Sequence, residues 1–491
     1  MVILLIFAIN EKALKSLDIS MLFIIMRQKK GIGGITMSSQ SKSIEPYLNC
    51  SFECGCGRTH SSLFAHYIFE PGAIKKLPKL LSQLGYGRPY LISDTHTHEI
   101  AGCQTEEVLQ KAGISFTSHV LKSPENSDLP ADENALGSIA MANDKDADII
   151  ISIGTGTIND LGRYFSYITG RPFLLVATAP SMDGLVSGVA PLVFHNMKIT
   201  FSAQEPLALV CDADIMTKAP LKMLAAGAAD ILGKYNCLLD WKLSHIVNDE
   251  YYCETIADIM RTAVDQTMES TKGLASHDDK AVSVLTEALV LSGIAMDFSG
   301  NSRPASGAEH HQSHYWEMQF LFDGIPAVLH GTKVGIGTVL MLELYNALAE
   351  MERPDFDAVR ANIANRLSIE EWEQEMRRCY RDGADGIIEL EKKAKKNDPE
   401  NLLERLLVIE EKWNEIQALA KTAPKADEIY QVLAKMGAAK IPADVGIPNQ
   451  YVFDSIRYGK ELRDRYTILQ LMWDIGKLDE EADLLVEKYC R

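Results

Sequence analysis

The sequence predicts an α/β domain built on a parallel sheet, followed by an all-helical domain. Three observations predict it. Between residues 70 and 212, short apolar runs such as ADIIISIG (Ala147–Gly154) and PFLLVAT (Pro172–Thr178) alternate with helical segments. Continuous apolar strands between helices indicate a sheet covered on both faces. Beyond Asp212 the strand signals give way to apolar residues at helical spacing. The 491 residues also exceed what one hydrophobic core usually serves. The expected boundaries are 38–212 for the α/β domain and 213–491 for the helical one.

The elements follow in order. GAIKKLPKLLSQLG (Gly72–Gly85) reads as a helix closed by glycine, and PYLISD (Pro89–Asp94) as a short apolar strand. EEVLQKAG is helical, ISFTSHVL extended and ENALGSIAMAND helical again. ADIIISIG is a β-branched strand ending in glycine, and PFLLVAT is the next. LKMLAAGAADILGKYNCLLDWKLSHI and the stretch from Tyr251 to Phe298 carry helical periodicity. Ser368 to Arg491 is also helical, with breaks expected near Pro399, Pro424 and Pro442. Residues 1–37 contain two apolar runs, MVILLIFAIN and MLFIIM. Each is far shorter than the roughly 20 residues that span a bilayer. The first lacks a basic leader, so the segment reads as an extension outside the fold, from a start codon placed too early. Nothing else in the sequence reads as a membrane span.

The formal net charge of −18 disfavours nucleic-acid and anionic-membrane partners. An anionic small molecule must then be drawn in by a local basic pocket. Nine cysteines, an odd and scattered number, suit a reducing, cytoplasmic setting rather than a disulfide framework. One cluster, Cys50, Cys54 and Cys56 with His60 nearby, lacks a fourth ligand at metal spacing and the second pair that a zinc knuckle usually has. It reads as a turn-rich edge element.

Two strings place backbone where phosphate can bind. GTGTINDLG (Gly154–Gly162) follows a strand and opens a helix, and free N–H groups at a helix start attract anions. Its spacing is neither GxGxxG nor a P-loop, so a tight turn is the competing reading. TAPSMDG (Thr178–Gly184) leaves the next strand on the same sheet edge, where open α/β sheets bind ligands in a Rossmann-like arrangement. Asp94, ending PYLISD, suits either ribose hydroxyls, favouring NAD over NADP, or a helix N-cap.

Two further strings supply metal-ligating side chains. Asp230 sits among small residues in AAGAADILG, where a carboxylate has no local reason to be. His310 and His314 lie at i, i+4 on one helical face, and His311 points about 100° away. His330 opens another helical run. One Asp and two His with open positions suit Zn²⁺, Ni²⁺ or Fe²⁺. A dinucleotide beside such a site is equipment for metal-assisted hydride transfer.

Together, IGTGTINDLG, TAPSMDG, GAADILGKY, RPASGAEHHQSH and LHGTKVGIG resemble the sn-glycerol-1-phosphate dehydrogenases, more narrowly the bacterial arabinose-operon-associated type. That family belongs to the superfamily of iron-containing alcohol dehydrogenases and 3-dehydroquinate synthase. The resemblance covers roughly Cys54 to Ala347 well and the helical tail more loosely. It implies reversible reduction of dihydroxyacetone phosphate, with NAD(H) or NADP(H) as cofactor and one divalent metal, Ni²⁺ or Zn²⁺ ahead of Fe²⁺. It implies that Gly156, Thr157, Ile158, Asn159 and Asp160 line the pyrophosphate. Thr178, Ala179, Pro180 and Ser181 form a second cofactor loop, and Ser187 is a further contact. Asp230, His310 and His330 hold the metal. Asp183, Asp230 and His314 meet the substrate, with His314 and Asp183 the catalytic pair. Lys234, Arg303 and Lys333 are the cations available for the substrate phosphate. A homodimer is implied by the family alone. Glycerol dehydrogenase and a 3-dehydroquinate synthase-like lyase are the rival readings.

Overall fold

The computed structural model describes residues 44–123, 129–194, 197–363 and 366–490. The expected 1–37 extension lies outside the described residues. A six-stranded sheet, wholly parallel, organises the first half. Its strands are β3 (His66–Glu70), β4 (Pro89–Asp94), β5 (Thr117–Leu121), β6 (Ile149–Gly154), β7 (Phe173–Ala177) and β10 (Ala208–Asp212). They lie in the order β3-β10-β7-β6-β4-β5. Every residue of β6, β7 and β10 is buried. This is why those strands are continuous apolar runs rather than alternating ones. Leu91, Ile149, Ile151, Ile153, Leu174, Val176 and Val210 form one core with the helix Leu77–Leu84 packed on it.

The chain order reverses across β4. β5 adds on one side of it and β6 on the other. The carboxyl ends of β4 and β6 therefore flank a crevice, the usual ligand position in an open α/β sheet. Asp94 ends β4, Gly154 ends β6, and Gly154 pairs with Ala177 at the end of β7. Asp94, the glycine turn and Thr178 thus line one edge.

The expected helices and strands through Ala177 are present, with Gly85 closing its helix in the left-handed conformation. Several strands are absent from the sequence reading. β1 (Ser51–Glu53) and β2 (Thr59–Ser61) are three residues each, too short for a pattern. β3 reads HYIFE with every residue half-buried, so it is not an apolar run. β8 (Val189–Phe194) and β9 (Met197–Ser202) form a separate antiparallel hairpin.

Among the described residues every element after Asp212 is a helix. The string LKML…SHI is two helices, Leu221–Leu232 and Lys234–Asn248, meeting at Gly233. The expected break near Pro399 is present: one helix ends at Ala394 and the next starts at Pro399, in the first turn where its missing N–H costs nothing, and Pro424 likewise lies between the helices Trp413–Ala420 and Ala426–Lys435. One helix, Asp279–Ser299, is long and apolar enough to cross a membrane by length and composition, which the sequence reading passes over. In the structure 72% of its apolar window is buried inside the protein, so the apolarity belongs to a core helix.

Candidate active site

The glycine turn opens the helix Thr157–Thr169. Gly156 adopts φ +47° and ψ −113°, a conformation that side-chain-bearing residues rarely take, and so turns β6 sharply into that helix. Its first N–H groups then face the carboxyl edge of the sheet. The side chains of this string mostly serve the fold. Ile158 is buried against Gly154, and Thr157 Oγ1 donates to the Leu129 carbonyl. Asn159 donates to the carbonyls of Gly184 and Leu185, tying the turn to the TAPSMDG loop. Asp160 pairs with the buried Arg163, and burial nevertheless pushes its carboxyl up to about 6. Ser187 is buried and accepts from Arg163 at 2.7 Å. The backbone N–H groups of Thr157 to Asn159 are therefore what the helix start offers an anion, the Asp160 N–H being taken by the Gly156 carbonyl at 2.9 Å.

Thr178, Ala179, Pro180 and Ser181 follow β7 and are buried beside the turn, with Ser181 Oγ 3.4 Å from Thr155 Oγ1. Asp94 caps a short helix. Its Oδ1 accepts from the Thr97 N–H at 2.8 Å, and the Asp94 N–H donates back to Thr97 Oγ1. The N-cap reading is thus observed, at the same edge position that a ribose would need. If Asp94 also meets the ribose, the wild type should prefer NADH. Asp94→Ala should then narrow the NADH:NADPH ratio by roughly tenfold, about 1.4 kcal/mol. Comparing kcat/KM for the two cofactors checks this, and a wild-type preference for NADPH overturns it.

Asp230, His310 and His330 converge. Their ligand atoms all lie within 4.8 Å of one another. The helix Leu221–Leu232 brings Asp230 there by close backbone approach. A side chain at Gly227 would sit 2.0 Å from the Pro180 carbonyl, and one at Gly331 would sit 2.0 Å from the Ala226 carbonyl. These two glycines clamp the Asp230 helix between the TAPSMDG loop and the helix His330–Glu350. His310 and His314 project from the helix Ala308–Asp323, and His330 is the first residue of its own helix. The ring centroids of His310 and His330 are 5.2 Å apart, and those of His314 and His330 are 5.5 Å apart. His311 is wholly buried on the other side, as its helical position predicts.

The electrostatics are concentrated. Lys234 Nζ, fully buried, donates to Asp183 Oδ2 at 2.6 Å, to Asp230 Oδ1 at 3.2 Å and to the Ala305 carbonyl at 2.8 Å. Burial alone would lower the pKa of the ammonium, but the two carboxylates reverse that and raise it. Burial opposes ionisation of Asp183 too, yet Lys234 holds its pKa below the ordinary value. Asp230 is pushed up, by burial first and by Asp183 second. Asp230 Oδ2 also accepts the Asp183 N–H at 3.1 Å. Two carboxylates against one ammonium leave one negative charge in excess, which suits a cation at this point.

His310 Nδ1 lies 2.6 Å from Glu309 Oε1, which leaves Nε2 for the metal position, 3.6 Å from Asp230 Oδ1. A carboxylate fixing the far nitrogen of a ligand histidine is a usual outer contact of metal sites. Burial pushes Glu309 up to about 8. Burial also lowers His310, His330 and His314, the last to about 4, so all three imidazoles are neutral at pH 7 and have a lone pair to offer. His314 Nδ1 lies 3.7 Å from Glu317 Oε2, and Glu317 is held by Lys198 at 2.9 Å.

The three phosphate cations read from the sequence are otherwise engaged. Lys234 bridges the carboxylates, Arg303 is clamped by Glu250, and Lys333 donates to the Val328 carbonyl at 2.6 Å. Arg463 was not foreseen. Burial is the main depressor of His310, His311 and His314, and the Arg463 charge adds to it in all three. Its Nε has no partner among the described residues. Nothing around Arg463 in the sequence flags it, but Glu309 stands beside His310, and Lys234 follows Asp230 at i, i+4.

The fold is that of the iron-containing alcohol dehydrogenases. It is similar to NADH-dependent butanol dehydrogenase A from Thermotoga maritima, with TM-score 0.55 and 14% identity, covering 85% of this chain and 96% of that one. It is also similar to glycerol dehydrogenase from Schizosaccharomyces pombe, with TM-score 0.53 and 13% identity, covering 86% and 91%. The family profile of the iron-containing alcohol dehydrogenases matches residues 68–220. The glycerol-1-phosphate dehydrogenase [NAD(P)+] of Halalkalibacterium halodurans is 35% identical over 85% of this chain and 94% of its own length. That of Geobacillus stearothermophilus is 32% identical over 88% and 98%. The chain belongs to the glycerol-1-phosphate dehydrogenase family.

Proposed function

We propose that this chain interconverts dihydroxyacetone phosphate and sn-glycerol 1-phosphate with NAD(H) or NADP(H). The observation that carries the reading is the convergence of Asp230, His310 and His330 beside a crevice edged by the glycine turn and TAPSMDG. Family membership supports it. The mixed carboxylate and imidazole donor set suits a divalent Ni²⁺, Zn²⁺ or Fe²⁺ ion, and the family resemblance puts Ni²⁺ or Zn²⁺ ahead of Fe²⁺. When bound, such an ion supplies Lewis acidity toward the substrate oxygen, and the nicotinamide supplies the hydride.

The chain's own residues do the rest. The backbone of Gly156 to Asp160 holds the pyrophosphate, with Thr178 to Ser181 alongside and Ser187 supporting through Arg163. Asp183, fixed by Lys234 and by Ser292 at 3.1 Å, orients the substrate hydroxyl. His314, neutral at pH 7, takes the hydroxyl proton on Nε2 in the oxidative direction and returns it in the reductive one. Glu317 faces its other nitrogen. Arg463 meets the phosphate. The reading includes a homodimer in the cytoplasm feeding phospholipid synthesis, without nucleic-acid or membrane partners.

The test is NADH oxidation after chelation, with add-back of Ni²⁺, Zn²⁺ or Fe²⁺. Activity is expected to return with dihydroxyacetone phosphate and not with dihydroxyacetone. Arg463→Ala should raise KM for the phosphorylated substrate with kcat less affected. Equal rates on both substrates would replace this reading with glycerol dehydrogenase.

A further inference from the structure

The cysteine cluster that the sequence leaves one ligand short is completed by a residue from far along the chain. Cys54 and Cys56 lie in the turn between β1 and β2, and His60 lies on β2. The turn is tight: the Cys54 N–H donates to the Arg58 carbonyl and the Gly57 N–H to the Cys54 carbonyl, both at 3.0 Å. Cys253 immediately precedes the helix Glu254–Leu274, 199 residues from Cys54. The four ligand atoms lie within 4.8 Å of one another. We propose that Cys54, Cys56, His60 and Cys253 form a second, structural zinc site, separate from the dehydrogenase centre.

Three of the six ligand spacings match a tetrahedron around zinc. Zn–S bonds near 2.3 Å and Zn–N bonds near 2.0 Å place sulfur about 3.8 Å from sulfur and about 3.5 Å from nitrogen. Here Cys54 Sγ is 3.7 Å from Cys253 Sγ. His60 Nε2 is 3.3 Å from Cys56 Sγ and 3.5 Å from Cys253 Sγ. Three thiols and an imidazole are the donors of a Cys₃His structural site.

The surroundings point the same way. His60 Nδ1 is 2.7 Å from the Phe298 carbonyl, an acceptor that fixes the proton on Nδ1 and turns the Nε2 lone pair toward the three sulfurs. Tyr251 Oη lies 3.2 Å from Cys56 Sγ, and Thr255 Oγ1 lies 3.4 Å from Cys54 Sγ, so hydroxyls flank two of the sulfurs. His60 and Cys253 are buried, while Cys54 and Cys56 are partly exposed and leave a route for entry. Cys50 takes no part, since its thiol turns to the Tyr47 carbonyl. Binding needs the three sulfurs as thiolates and displaces the protons they still carry, and the ion would clip a six-residue hairpin ladder too short to hold itself onto the helical part of the chain.

Cobalt substitution of the full-length chain, kept reduced, tests this. Loading with Co²⁺ is expected to give the near-ultraviolet thiolate-to-cobalt charge-transfer band, which the Asp230 centre cannot produce because it has no sulfur ligand. The band should persist in His310→Ala, which removes a ligand only from the other centre, and in Cys50→Ser. Cys56→Ser and Cys253→Ser should each lower its intensity by at least the share of one thiolate and weaken zinc retention, and the Cys56→Ser/Cys253→Ser double variant should abolish it and lose one zinc per chain in metal analysis. A wild type without the band overturns the proposal whatever the variants do. So does a band of undiminished intensity in Cys253→Ser, or a reductant-reversible deficit of two thiols showing that Cys54 and Cys253 form a disulfide.

Discussion

His310→Ala and His330→Ala are each expected to leave a folded protein that has lost the dehydrogenase metal and its turnover together. Asp230, His310 and His330 supply the donor atoms at that point, and two protein ligands hold a divalent ion poorly. Lewis-acid stabilisation of developing charge is worth several kcal/mol, so kcat/KM should fall on the order of 10³-fold or more. Neither change touches the glycine turn, so NADH binding by fluorescence titration should survive. The measurement must count ions, because the cysteine cluster would hold one as well. Metal content should drop by one equivalent per chain, not to zero, when zinc is supplied. Full occupancy of the dehydrogenase centre in both variants would remove these residues from the metal assignment.

What the sequence made legible follows from how local each feature is. Asp94, Gly154 and Thr178 end apolar runs, and the runs themselves mark buried parallel strands, so the sheet edge could be read without a structure. The histidine face of Ala308–Asp323 follows from i, i+4 spacing alone. What depends on long-range packing was not legible. β3 is half-buried rather than apolar, and β1 and β2 pair over only three residues each, with a cysteine from far along the chain beside their turn. Cys253 has no local signature that ties it to Cys54. Lys234 is one of three cations inside or beside the motifs, and the sequence does not choose among them. The structure gives it two anions already, Asp183 and Asp230. Arg463 lies in the helical tail, and its charge acts on His310, His311 and His314, a relation that only the folded chain creates.

His314→Ala should separate proton handling from metal binding on the same helix. His310 Nε2 faces Asp230, whereas His314 Nδ1 faces Glu317, so the two rings answer to different partners. His314→Ala is therefore expected to keep its metal and its NADH affinity while kcat falls on the order of 10²–10⁴, the range for a missing general acid–base group. Glu317→Gln should lose less, because it removes only the carboxylate that orients the ring. Stability gives a second readout with a definite sign. Burial holds the folded His314 at about 4, below the ordinary 6.5. Its neutral form thus favours the native state fully above pH 6.5, and that contribution is lost as the pH falls toward 4. His314→Ala should flatten its share of the acid-side decline in Tm, leaving the shares of His310, His311 and His330. The same preparations carry all three measurements: metal content, steady-state rate and melting between pH 7 and pH 4. A His314→Ala enzyme that loses its metal while His310→Ala keeps it would exchange the roles of the two residues. Full rate in His314→Ala would move proton transfer to another group, and Asp183 is the next carboxylate in the cluster, held by Lys234 and Ser292.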